Sequence, residues 1–212
     1  MCWSATADLA AGSVICALGA ACVARTRRVR DLPLAALPLL LGAHQLIEAA
    51  VWHKGGGTGA ATTAWAVIAL PLLAAWVPLA VLSATSAGAR GRLAAPAAAG
   101  VATAVILAVC LADRAPSADI RGHTVGYAVH VPHASWLIAG YLFATVGALL
   151  LAPETTLRLL GALTAVGAAV CATLWRLEFV STWCAVAAAA SLVLLARTPP
   201  AGGSRPLPPA TG

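Results

Sequence analysis

The sequence predicts an all-α fold: a polytopic membrane bundle of seven transmembrane helices, with the N-terminus outside and the C-terminus cytoplasmic. Composition is the first observation behind this. Of 212 residues, 61% are apolar and 9% charged, and the mean hydropathy is +0.90, against about 45–50% apolar and about 25% charged in a soluble domain. The second is segmentation. Apolar runs at about 6–24, 33–53, 62–84, 94–113, 135–152, 157–175 and 182–196 each approach the roughly 20 residues that cross about 30 Å of hydrocarbon. The third is the alternation of basic residues between successive connections. Arg25, Arg27, Arg28, Arg30, Arg90, Arg92, Arg158, Arg197 and Arg205 fall in one set of connections. Lys54, Arg114, Arg121 and Arg176 fall in the other. The richer side is expected to be cytoplasmic, which places the chain in the cell membrane as a multi-pass protein.

Each element has a local reason. The N-terminal MCWSATADLA has no basic n-region ahead of the first apolar run, so no cleaved signal peptide is expected. Asp31 and Pro33 are start signals for the second span, and Pro38, a turn further on, should bend it. Pro71 and Pro78 interrupt the third. Freed carbonyls of this kind are tolerated in a bilayer where neighbours or a cavity satisfy them, so the second and third spans are candidates to line a pocket. KGGGTGAATT at 54–63 is expected to be a flexible outer connection. RAPSADIRGHTVGYAVHVPHA at 114–134 is the one long external loop, and its alternation from His123 to His133 suits an extended segment over the bundle mouth. The domain organisation expected is a seven-helix transmembrane domain at 1–197 and a disordered Pro/Gly-rich cytoplasmic tail at 198–212.

Composition and length exclude several functions. No room remains for a separate nucleotide- or DNA-binding module, and the net charge of +6 reads as a topology signal, so no nucleic-acid partner is expected. Membrane lipids and a hydrophobic small molecule are the partners expected. The oligomeric state is not encoded in any pattern found.

One carboxylate stands out inside the spans. His44, Glu48 and Trp52 recur every four residues in LLLGAHQLIEAAVWH and share one helix face, with Gln45 beside them. An ionisable group at this depth faces the interior and needs a partner, and His44 is the nearest. Two readings stay open: a polar pair that fixes packing, or an acid/base or ligand-binding site. All five histidines fall in the predicted outer half, with Asp8, Glu178, Cys2, Cys184 and the tryptophans Trp3, Trp52, Trp65, Trp136, Trp175 and Trp183. His123, His130 and His133 form a weak metal-ligand set. The zinc-hydrolase pattern with HxxxH on a seventh span is absent, since that span has no histidine. No cofactor is expected outright, although a transition metal or haem would be compatible with those histidines. Cys2 and Cys184 would bridge if the first and last helices are neighbours in an oxidising compartment.

The segments MCWSATADLAAG, LPLAALPLLLGAHQLIEAAVW, GHTVGYAVHVPH and FVSTWCAVAAAAS resemble an uncharacterised family of small bacterial integral membrane proteins, domain of unknown function 6629, over most of residues 1–196. The resemblance implies topology and motif positions but no reaction. It implies a site drawn from Cys2, Trp3, Ser4, Gln45, Glu48, Trp52, His123, Tyr127, Trp183 and Cys184. The leading expectation is a membrane-bound acid/base enzyme of the cyclase, isomerase or lyase type, acting on an isoprenoid or other lipid-like substrate and terpene-cyclase-like by analogy only. Catalysis would fall to Glu48, His44 and Glu178, and substrate binding to Gln45, Trp52, Trp3, Tyr127 and Trp183. The alternatives are a metal-, haem- or small-ligand-binding membrane protein and a structural or accessory subunit.

Overall fold

Residues 4–174 and 179–197 are described by the computed structural model of the chain. Among the described residues five helices are long and apolar enough to cross a membrane: α1 (Ala5–Arg25), α2 (Val29–His53), α3 (Ala60–Ala84), α4 (Gly91–Asp113) and α6 (Thr155–Leu174). Two shorter apolar helices are α5 (Ala134–Leu150) and α7 (Phe179–Leu195). All seven lie where the apolar runs fall in the sequence.

Their outward faces are the apolar ones. Val101, Val105, Ile106 and Val109 are exposed along α4, and Leu159, Leu163, Val166 and Val170 along α6, while Thr103 and Thr164 of the same helices are buried. A water-soluble bundle would turn these stripes inward. Helices that share no hydrophobic drive toward one another associate through close packing and small residues. The α1–α2 pair does so. A Cβ on Gly19 would lie 2.3 Å from the Leu39 amide nitrogen, and one on Gly42 would lie 2.7 Å from that of Cys16, so the two backbones touch along Gly12, Gly19 and Gly42.

The prolines shape the core. In α3 the stretch Ile68–Leu72, which contains Pro71, widens to a π turn, and the Ala69 carbonyl accepts a 2.6 Å hydrogen bond from Tyr141 Oη of α5. Pro78 lacks the N–H that would bond Ala74 four residues back. That carbonyl meets Gly100 of α4, where a Cβ would come within 2.3 Å. A second π turn at Phe143–Gly147 bends α5 beside it. The expected bend at Pro38 is a break at Ala36, just before that proline. The first turn of α2 is then held to α3 by Trp76 Nε1, which donates to the Pro33 carbonyl at 2.9 Å.

The long connection between α4 and α5 differs from the single extended segment expected. It forms an antiparallel hairpin, β1 (Ser117–Arg121) and β2 (Thr124–Ala128), running from Ser117↔Ala128 to Arg121↔Thr124. Gly122, at φ +60°, opens its two-residue turn. The charges in SADIR hid β1, because its alternation puts only Ala118 fully inside. The glycine run after α2, expected to be slack, is pinned. Gly55, Gly56 and Gly57 all take positive φ, and Gly57 exchanges backbone hydrogen bonds with Ala118 of 2.7 and 3.0 Å. Val125 and Ala118 then pack on Val51 at the end of α2. The expected tail at 198–212 lies outside the described residues.

Replacing Gly19 by Ala should force α1 from α2 at a cost of about 1–3 kcal/mol, whereas Gly88→Ala, with open space around it, should be neutral. Thermal unfolding in micelles checks both, and equal melting temperatures for the two variants would refute the close packing.

Candidate functional site

The site is organised by α2, whose inner stripe carries the polar side chains. His44 and Glu48 are 0% exposed and Gln45 is 1% exposed. The stripe diverges at its two ends. The Glu48 carboxylate turns to α7, where the Ser181 hydroxyl donates to Oε1. The His44 ring turns to α3 and packs on the Trp65 indole, centroids 5.0 Å apart at 41°. The Trp65 backbone approaches that ring without reaching hydrogen-bond geometry, and neither His44 nitrogen has a partner among the described residues. His44 is therefore not the hydrogen-bonded orienter of Glu48 that the i, i+4 spacing suggested. Four-residue spacing sets a shared face, but the neighbouring helix decides where each head group points.

Trp52, expected to contact substrate, has a structural task. Its Nε1 donates to Oδ2 of the buried Asp8 at 2.9 Å, tying the start of α1, capped by Ser4, to the end of α2. Gln45 is buried beside the same stripe with both amide atoms unpartnered among the described residues.

An aromatic cleft of about 220 Å³ lies beyond Trp65, roofed by β2 and the strand's continuation through Val131 and walled by α3, α4, α5 and α7. Both tyrosines, Tyr127 and Tyr141, line it with Trp65, Trp183 and Phe179. Tyr127 stacks on Trp65 at 3.4 Å and 4°. Phe179 stacks on Trp183 at 5.6 Å, and Tyr141 meets Trp183 edge-on at 5.7 Å. Trp183 is held by its Nε1, which donates to the Thr164 carbonyl at 3.0 Å. No charged side chain borders the cleft among the described residues. Tyr141 and Trp183 also border a smaller void of about 50 Å³ that reaches Leu37 and Leu41 of α2 and the buried thiol of Cys184. On the other side, Ile138, Leu142 and Phe179 are shared with an open groove between α5 and α6.

Of the residues singled out in the sequence, Trp65, Tyr127 and Trp183 line the cleft, while Glu48, His44 and Gln45 lie behind it. His123, His130 and His133 are exposed, and among the described residues no three His, Cys, Asp or Glu side chains gather as a metal shell. His133 sits at φ +52° ahead of α5. Trp136 is 79% exposed. Cys2, Trp3, Trp175 and Glu178 lie outside the described residues; Cys184, the expected partner of Cys2, carries a free thiol. Ser181, Tyr141 and Phe179 were not singled out. The signal for Ser181 was available: a carboxylate at this depth requires a donor, and FVSTWC offers hydroxyls one turn from Cys184.

A helical bundle with outward apolar faces, a buried polar stripe and an aromatic cleft defines the class. Residues 1–207 match a family of unknown function, DUF6629, and the chain belongs to it. No curated protein and no solved structure matches the chain.

Replacing Trp52 by Phe keeps the ring but removes the donor to Asp8. The loss should lower stability by about 1–3 kcal/mol, read as a reduced melting temperature, while Trp136→Phe should change nothing. Equal stability of the two variants would show that the Asp8 contact is dispensable.

Proposed function

We propose that this chain is an integral membrane protein of seven spans, N-terminus outside and C-terminus cytoplasmic, that binds an apolar, lipid-like small molecule of the isoprenoid kind in the aromatic cleft. The observation that carries the reading is the convergence of five aromatic side chains from β2, α3, α5 and α7 on one space that no charged side chain borders among the described residues. Aromatic residues supply large contact area with little rotamer entropy to lose, and a concave apolar site with a few polar groups nearby is the usual form of a small-molecule pocket. The outward apolar stripes of α4 and α6 support the bilayer as the surrounding medium, and the alternation of Arg-rich connections supports the orientation.

Binding is favoured over catalysis. Glu48 and His44 have the chemistry for acid/base work, yet neither borders the cleft, and Glu48 is engaged by Ser181. An acid/base reaction would need both groups turned toward the substrate. The Glu48–Ser181 bond fits a strut between α2 and α7.

Reporter fusions after residues 30, 90 and 156 should all read cytoplasmic, and an exterior signal at any of them would overturn the orientation. Organic extraction of the full chain purified in mild detergent, followed by mass spectrometry, should yield an apolar species. That species should be lost from Ala134→Trp, which fills the cleft from its exposed rim. The same extract from both proteins would sink the binding reading.

A further inference from the structure

Trp65 stands between the cleft and His44 of the α2 stripe. One face of its indole carries Tyr127, which lines the cleft, and the ring also packs on His44, which does not. Three polar atoms at this junction are buried and unpartnered among the described residues: Trp65 Nε1 and both His44 ring nitrogens. Buried polar groups in folded proteins almost always find a partner, and one left without represents stabilisation that a ligand can recover on binding. Two donors and one acceptor stand there, since a neutral imidazole offers one of each and an indole only an N–H.

We propose that the ligand of the cleft is a neutral amphipathic molecule whose hydroxyl or carbonyl head takes hydrogen bonds at Trp65 Nε1 and His44, while its apolar body lies among Tyr127, Tyr141, Phe179 and Trp183. The proposal rests on the binding reading above and adds the class of head group. An anionic head is disfavoured: among the described residues no Lys or Arg borders the cleft, and Glu48 lies one turn from His44. A cationic head is disfavoured as well. Cations bind ring faces, and here Trp65 spends a face on Tyr127 and Phe179 spends one on Trp183. Ring edges carry the positive end of the quadrupole. Admission of the head to His44 requires the Trp65 indole to turn, and so its stack with Tyr127 to part. Tyr127 belongs to the hairpin, so that ring is carried by the roof of the cleft and not by one of the long helices.

The test uses the full chain in phosphatidylcholine vesicles with diazirine-bearing hexadecanol, hexadecane, hexadecanoate and hexadecyltrimethylammonium, and maps the crosslinked peptides by mass spectrometry. Hexadecanol should label the cleft segments 127–142 and 179–183 more strongly than hexadecane, by about fivefold for each hydrogen bond made. Trp65→Phe and His44→Leu should each reduce this preference while leaving hexadecane labelling unchanged. Equal labelling by hexadecanol and hexadecane in the unaltered protein overturns the head-group assignment and leaves the apolar cleft standing, as does a preference that survives both substitutions. Stronger labelling by the carboxylate or the ammonium probe also overturns it. Absence of cleft labelling by every probe overturns the binding reading itself. If a substitution abolishes all labelling, the comparison of probes on the unaltered protein decides.

Discussion

A carboxyl group held out of water must be given hydrogen-bond donors, and in this fold that requirement falls on Glu48. Its neighbours along α2 set the distances of the helices around it. Ser181 reaches it from α7, His44 turns the other flank toward α3, and Trp52 on the same stripe reaches Asp8 of α1. Three helices are thus indexed against one. The apolar exteriors of α4 and α6 could slide over lipid without penalty, since hydrocarbon is as good a neighbour for them as another helix. Side-chain contacts to α2 index α1, α3 and α7, and the hydrogen bonds of Tyr141 to α3 and of Trp183 to α6 extend that register to α5 and α6.

Around that centre the backbone itself is used as a polar surface. Pro71 and the π turn deliver the Ala69 carbonyl to Tyr141, and the break at Ala36 leaves the Pro33 carbonyl for Trp76. Irregular backbone inside a bundle is affordable only where a side chain meets it, and here aromatic hydroxyl and indole groups do so. The same residues then form the cavity walls. Tyr141 is both the partner of Ala69 and a lining residue of the cleft, so the feature that bends α3 also places the aromatic surface.

The helices were legible in the sequence because hydrocarbon thickness imposes a length, and each apolar run coincides with an apolar helix. The polar stripe was legible too, since a Glu inside an apolar run has few alternatives to the interior. Its partners were not. The i, i+4 spacing put His44 beside Glu48, but a face of a helix spans more than one neighbour, and the identity of the helix opposite each side chain is tertiary information. β1 was hidden for a related reason: SADIR owes its strand form to pairing with β2 and to the bridge at Gly57, not to a hydrophobic alternation of its own. Tyr141 and Phe179 looked like ordinary span residues until α5 and α7 were set against α3.

The meeting of Pro78 with Gly100 joins two helices through a pair of omissions: a carbonyl without its amide donor and an α-carbon without its methyl group. Neither omission is useful alone. An α3 with a regular residue at 78 would have no freed carbonyl to present, and an α4 with any side chain at 100 could not come near enough to cover one. The two positions therefore form one structural unit, and substitution at either is constrained by the other even though they are distant in the chain and neither touches the aromatic cleft. A methyl group at position 100 would strike the Ala74 carbonyl itself and the Pro78 ring beside it, so the helix pair can keep its spacing only while both positions stay as they are.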